Sequence, residues 1–177
     1  MASTRILSII GRKSAGKTTL TVALASELGR RNRRVMTIKH GHHPAEVDRP
    51  GSDSWRHFQE ARAERVLLVT PHEQVLFDRA DDAYDPIALA RRHMGAADVV
   101  LVEGYKRAPI PKIEVFRRSV SPTPLYEAGS PEAGLWQAIV TDDLEFEAPT
   151  RVIHFQDTMW LQLLATITLE HALALDP

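Results

Sequence analysis

The residues best suited to do chemistry form one short run, Gly11-Arg12-Lys13-Ser14-Ala15-Gly16-Lys17-Thr18. It reads G-x-x-x-x-G-K-[ST], the pattern of a phosphate-binding loop. Consecutive main-chain N–H groups, from Lys13, Ser14 and Ala15 through to Thr19, have to curl around phosphate oxygens. Gly11 and Gly16 permit backbone angles and close approaches that a side chain would block. Lys17 is placed for the β- and γ-phosphates, and Thr18 for a hydroxyl contact to Mg²⁺. The plain alternative is an ordinary Gly-rich strand-to-helix turn.

The elements around the loop agree with the phosphate reading. The apolar run Ile6–Ile10 enters it as a buried parallel strand would. A helical pattern from Thr19 to Leu28 leaves it, aiming its positive dipole end at an anion, and stops near Gly29, Arg30 and Arg31. Further strands are expected at 33–40, 66–70, 74–77, 98–104, 112–117, 137–141 and 151–155. The strand at 74–77 should be antiparallel to its predecessor, because Pro71-His72-Glu73 is too short for a crossover helix. The alternation Lys112-Ile113-Glu114-Val115-Phe116-Arg117 predicts a half-exposed strand. Ser52 or Asp53 can cap one helix, Asp85-Pro86 opens another, and Asp157 is the expected cap of a last helix over 158–175. Residues 119–134, rich in Pro, Ser and Gly, read as a surface loop. Strands alternating with helices predict an α/β P-loop NTPase-like three-layer fold, a mostly parallel sheet with some antiparallel strands, in a single domain over 1–177.

Other residues join the loop as candidates, each beside a blander reading. Glu103 ends an apolar strand, where a carboxylate can hold Mg²⁺ in P-loop folds; it can also be a surface carboxylate. Lys39, His40, His42 and His43 follow the second strand, at the sheet edge where ligands bind. They can touch an anionic ligand, form a solvated cluster, or bind a metal. Asp48 can orient water or Mg²⁺ near a γ-phosphate, or simply form a turn before Pro50-Gly51. Asp53 can be a plain cap. Arg12 and Lys13 add cations to the loop; Lys106, Arg107 and Lys112 make the turn after Glu103 basic. Asp142, after a late strand, can accept hydrogen bonds from the N1 and N2 groups of guanine, which adenine lacks; it can equally face solvent.

Composition bounds the partners. Lys plus Arg (22) nearly balances Asp plus Glu (23), so charge points to neither nucleic acid nor membrane. The chain has no cysteine, which removes disulfides and thiol chemistry and fits a reducing compartment. Neither a signal-peptide pattern nor an apolar run of membrane-spanning length is present, and a cytoplasmic location is expected.

GRKSAGKTTL, TIKHGHH, EVDRPGSDS, VLVEGYK and KIEVFR, in that order over roughly residues 5–117, resemble the MobB family, accessory proteins of molybdopterin guanine dinucleotide biosynthesis. The resemblance implies GTP as ligand with Mg²⁺, slow GTP hydrolysis at most, a homodimer, and assistance to MobA, the guanylyltransferase that joins a GMP unit to molybdopterin. It places the nucleotide on Gly11 to Thr18, the His run on His40, His42 and His43, the acidic loop on Asp48 and Asp53, and the Walker B-like carboxylate on Glu103. A second anion site, for a pterin phosphate, would draw on Lys39, Lys106 and Lys112. The basic Arg12-Lys13-Ser14 and the glycine at 41 depart from the family pattern. An ATP-dependent small-molecule kinase and a metal-delivery GTPase are the rival readings.

Overall fold

The computed structural model describes residues 3–41, 48–79 and 85–175. The chain divides into two compact units, Met1–His40 with Asp85–Pro177, and Gly41–Tyr84. In the larger unit the elements are β1 (Arg5–Gly11), α1 (Lys17–Arg30) and β2 (Val35–Lys39), and further along α3 (Pro86–His93), β5 (Val99–Glu103), β6 (Lys112–Phe116), β7 (Trp136–Thr141), β8 (Val152–His154), α4 (Trp160–His171) and β9 (Leu173–Ala174). The smaller unit holds α2 (Asp53–Gln59), β3 (Arg65–Val69) and β4 (Gln74–Asp78).

The main sheet runs β2-β5-β1-β6-β7-β8, all parallel, with β9 antiparallel on β1. Each central strand buries both faces, which is why β1 and β5 are almost wholly aliphatic. On one face Leu7, Ile9, Leu101, Ile113 and Val140 meet Leu20, Leu24 and Leu28 of α1 and Leu164, Ala165 and Ile167 of α4. Each of these buried leucines and isoleucines contributes roughly 2 kcal/mol of transfer free energy. On the other face Ile6, Val100 and Val102 meet Ala90 and Ile87 of α3, while Ile10, Phe116 and Ile139 are roofed by Leu125, Tyr126 and Phe146. The result is the expected three-layer arrangement.

α1 ends at Arg30 with Arg31 at the cap, the expected stop, and Asn32 at φ 58° turns the chain away, with Arg33 N–H donating back to Leu28 O. Other expected details are corrected. Asp157 does not cap α4: its carboxylate accepts from His154 N–H, and Met159 stands at the cap position. The end of the chain turns into β9 instead of extending the helix. Of the two proposed caps for α2, Ser52 accepts from Trp55 N–H, and Asp85 caps α3 as expected.

The largest correction concerns β6, which is buried at all five positions. It lies between β1 and β7, and its two charged residues are satisfied internally. Lys112 donates to Ala108 O and to Ile110 O (3.0 Å) and lies over the Trp136 ring. Burial holds its pKa below the ordinary lysine range. Lys112 is therefore no part of an exposed basic rim, unlike Lys106 and Arg107, which are exposed. Glu114 accepts from Leu125 N–H (2.6 Å), Tyr126 N–H (3.0 Å) and Trp136 Nε1–H (2.9 Å), and so pins the 119–134 loop over the sheet.

In the smaller unit β3 and β4 form the expected antiparallel pair, with Leu67 opposite Leu76. Phe77 packs against Phe58 of α2, and Arg79 stacks on Phe58. The other face of this ribbon carries Leu67, Val69 and Leu76, exposed at 56%, 61% and 43%.

Candidate functional site

The loop between β1 and α1 is held by features that its sequence dictates. Gly11 has φ 150°, and a Cβ there would stand 2.5 Å from Val115 O of β6, so no other residue fits without moving backbone. Ala15 is fully buried beneath the loop. Gly16, at φ 102°, turns the chain into α1, and no side chain caps the helix start. Its free N–H groups are thus left for an anion. Lys17 Nζ reaches back across the loop to Arg12 O at 2.9 Å. Arg12, Lys13, Ser14, Thr18 and Thr19 are exposed along its rim.

Sheet register brings the second group of candidates to this loop. Ile9 of β1, Glu103 of β5 and Lys39 of β2 stand abreast, because β5 lies between β1 and β2. The Glu103 carboxylate, on the α1 side of the sheet, accepts from Thr18 Oγ1 at 2.9 Å and lies 3.4 Å from Lys39 Nζ. A hydroxyl and a carboxylate oxygen side by side at a helix N-terminus form a hard-oxygen donor set suited to Mg²⁺. Thr18, Thr37, Lys39 and Glu103 line one end of a cleft of about 340 Å³ that continues along α1 past Thr21, Val22 and Ala25. Beyond Glu103 the chain turns sharply: Ser8 Oγ donates to Gly104 O at 2.6 Å, and Gly104 takes φ 100° beside His40. The His40 ring meets Tyr105 on the opposite side of the sheet edge, with centroids 4.8 Å apart.

The remaining candidates divide. Asp142 follows β7 at the same sheet edge and is ion-paired to Arg117. Its neighbour Asp143 is bonded to Arg118 Nε at 2.5 Å, and that bond holds its carboxyl below the usual range. Asp48 and Asp53 belong to the smaller unit. There Asp48 accepts from Ser52 Oγ at 2.7 Å, a bond that lowers its pKa. His42 and His43 lie outside the described residues. Among the described residues no group of three or more His, Cys, Asp or Glu is arranged to hold a metal ion.

One residue escaped sequence reasoning. Arg117, the first residue past β6, donates from Nε to Ala15 O of the loop at 3.0 Å, binds Asp142, and stacks on Phe155 at 4.7 Å. Its signal was an arginine just past a strand end. That β6 is the neighbour of β1 could not be read locally.

A parallel sheet with a glycine-bounded loop at its edge, a lysine spanning that loop, and a Thr–Glu pair beside it define an α/β protein of the P-loop NTPase type. The comparisons narrow this class. The family profile described as molybdopterin guanine dinucleotide synthesis protein B matches residues 6–142, more than half of the chain, and the chain belongs to this family, MobB. It is 39% identical over 117 residues to the molybdopterin-guanine dinucleotide biosynthesis adapter protein of Haemophilus influenzae (66% of this chain, 65% of that protein). It is 32% identical over 115 residues to the protein of the same description from Escherichia coli (63% and 65%). The matched stretch spans just under two thirds of either relative. A crystal structure described as molybdopterin-guanine biosynthesis protein B superimposes with a TM-score of 0.68 over 93% of this chain and 98% of that one, at 22% identity, a likeness of fold.

Proposed function

We propose that this protein binds Mg–GTP and acts as an adapter in assembling molybdopterin guanine dinucleotide, hydrolysing GTP slowly at most. The observation that supports the reading is the Lys17–Arg12 bridge beside the Thr18–Glu103 pair, a lysine across the loop next to a hydroxyl and a carboxylate that would suit a triphosphate and Mg²⁺. Gly11 to Thr19 would cradle the phosphates. Thr18 and Glu103 would hold the ion, which when bound neutralises phosphate charge. Lys39 adds positive charge at the same edge, and His40 stands close by; His42 is the remaining candidate of that run. Asp142 would read guanine, and Asp48 would orient water. Among the described residues Arg117 is held by Ala15 O and Asp142, and slow turnover is proposed for the site as it stands. Among the described residues no helix is long and apolar enough to cross a membrane, which suits the cytoplasm. We infer a MobA-like guanylyltransferase as partner and molybdopterin as second ligand; the family description names the pathway, molybdopterin guanine dinucleotide synthesis.

Competition titration of GTP and ATP, with and without Mg²⁺, tests this. GTP should bind more tightly than ATP, and Mg²⁺ should strengthen it. Glu103→Gln should lose about tenfold of the Mg²⁺-dependent part, ~1.4 kcal/mol. Equal affinity for the two bases would remove the GTP assignment. Rapid ATP consumption only with a small acceptor would favour a kinase instead.

The two units are proposed to work as one nucleotide-binding domain, and the protein as a homodimer. A two-stranded ribbon is marginal alone, and the Leu67, Val69 and Leu76 face of β3–β4 is the apolar surface a second copy would cover. Light scattering should give a dimer for the wild type and a monomer for Leu67→Lys with Leu76→Lys; a wild-type monomer at micromolar concentration would end this part.

A further inference from the structure

Asp142 already has a ligand of its own. Arg117 donates from one terminal nitrogen, Nη1, to its Oδ2 carboxylate oxygen. Guanine would do so with N1–H and the 2-amino group. The two donors are chemically alike: the N1–C2–N2 edge of guanine is itself a guanidine fragment, planar, with adjacent N–H groups facing one way. The same arginine donates to Ala15 O inside the phosphate loop, and a Cβ at Gly16 would lie 3.8 Å from its Nε. Its Cζ stands over the Phe155 ring at 4.7 Å from the centroid, and Phe155 in turn meets Trp160, with ring centroids 5.2 Å apart. A planar cation, set over an aromatic ring and paired with a carboxylate, thus stands beside the phosphate loop and holds the carboxylate proposed above to read guanine.

We propose that Arg117 is an internal stand-in for guanine: it competes with the base for Asp142, and so sets how strongly this site prefers guanine over adenine nucleotides. The inference rests on the GTP reading above and adds the residue that tunes it. Guanine must displace Arg117 from Asp142 before its own N1–H and N2–H groups can bond there. Adenine has no such donors and leaves the pair intact. Arg117 then remains tied to the phosphate loop when ATP binds and is free to leave it when GTP binds. Arg117 is 33% exposed and Asp142 43%, so the pair is a half-solvated one. Pairs of that kind are worth little individually, and releasing one raises guanine affinity by about two- to sixfold.

The test is the ratio of GTP to ATP affinity, measured by competition against a fluorescent nucleotide on the full chain. Arg117→Gln keeps an amide donor for Ala15 O but withdraws the charge from Asp142. Its GTP/ATP ratio should rise about two- to sixfold above wild type. Loss of the loop contact would instead lower both affinities together and leave the ratio alone. In an Asp142→Ala background the ratio should collapse, and adding Arg117→Gln should change nothing further. Salt gives a readout on the unaltered protein: screening weakens the Arg117–Asp142 pair, so the wild-type ratio should climb with ionic strength while that of Arg117→Gln stays flat. Phosphate electrostatics cancel in the ratio. A preference abolished by Asp142→Ala but unmoved by Arg117→Gln and by salt overturns the competition and leaves GTP recognition standing. A ratio near one in both wild type and Asp142→Ala overturns GTP recognition itself, and this proposal with it.

Discussion

On the proposed function, Lys17→Ala should lower affinity for Mg–GTP by about 100-fold or more, ~3 kcal/mol, with the fold intact. The size follows from the removal of charge-assisted hydrogen bonds to phosphate oxygens, each worth roughly 1.5–3 kcal/mol. The same change removes the bridge to Arg12 O that holds the loop across its mouth. That bridge is exposed, so the urea midpoint should stay close to wild type. Lys17→Arg should not rescue binding, because a forked guanidinium cannot occupy the place of a compact ammonium. Isothermal titration with Mg–GTP gives the number. Affinity within threefold of wild type would mean that the loop does not grip a triphosphate.

Glu114→Ala should be the most destabilising single change in the larger unit, at about 3–5 kcal/mol. It leaves Trp136 Nε1–H and the N–H groups of Leu125 and Tyr126 without their acceptor, each at roughly 1–3 kcal/mol, and opens a void beneath the roof they form. Glu114→Gln should cost less, about 1–3 kcal/mol, because its NH₂ group must face at least one of the same donors. Burial raises the Glu114 pKa above its ordinary 4.5, against the opposing pull of these bonds and of Arg12. The sign of the linkage follows. Between 4.5 and the raised value the folded chain binds more protons than the unfolded one. Stability from this group is thus complete below 4.5 and is lost as pH rises through the folded value. Urea midpoints collected across mildly acidic pH should show that decline in the wild type and not in Glu114→Gln. Parallel curves would mean that another carboxyl controls it.

Much of the site was legible because it is local in sequence. The glycine-bounded loop, its entering strand and its leaving helix are one continuous stretch, and Glu103 closes an unmistakable aliphatic run. What failed was information carried between distant segments. The alternation in 112–117 correctly marked a strand, but periodicity cannot tell a wet face from a dry one whose charges find partners 11 to 22 residues away. Lys112 was read as a rim cation because the burial of β6 between β1 and β7 is not visible locally, although its carbonyl partners are only two and four residues back. Arg117 went unnoticed because its meaning depends on β6 lying beside β1, a matter of strand order. Asp157 had the right residue type for a cap, yet the tight turn back to His154 claimed its carboxylate.

The two charges on β6 have a consequence for how the sheet assembles. Side chains alternate along a strand, so sliding β6 by one residue against β1 would drive Lys112 and Glu114 into the aliphatic layer beneath α1 and α4. Only the observed alignment lets one indole serve both, its face toward the ammonium and its N–H toward the carboxylate. The mismatch where Lys112 faces Trp136 but Ile113 faces Ala138 leaves Gln137 as the extra residue next to that indole. The pair therefore acts as a ratchet tooth for the strand: it forbids neighbouring alignments, and in doing so it delivers Arg117 to the mouth of the loop.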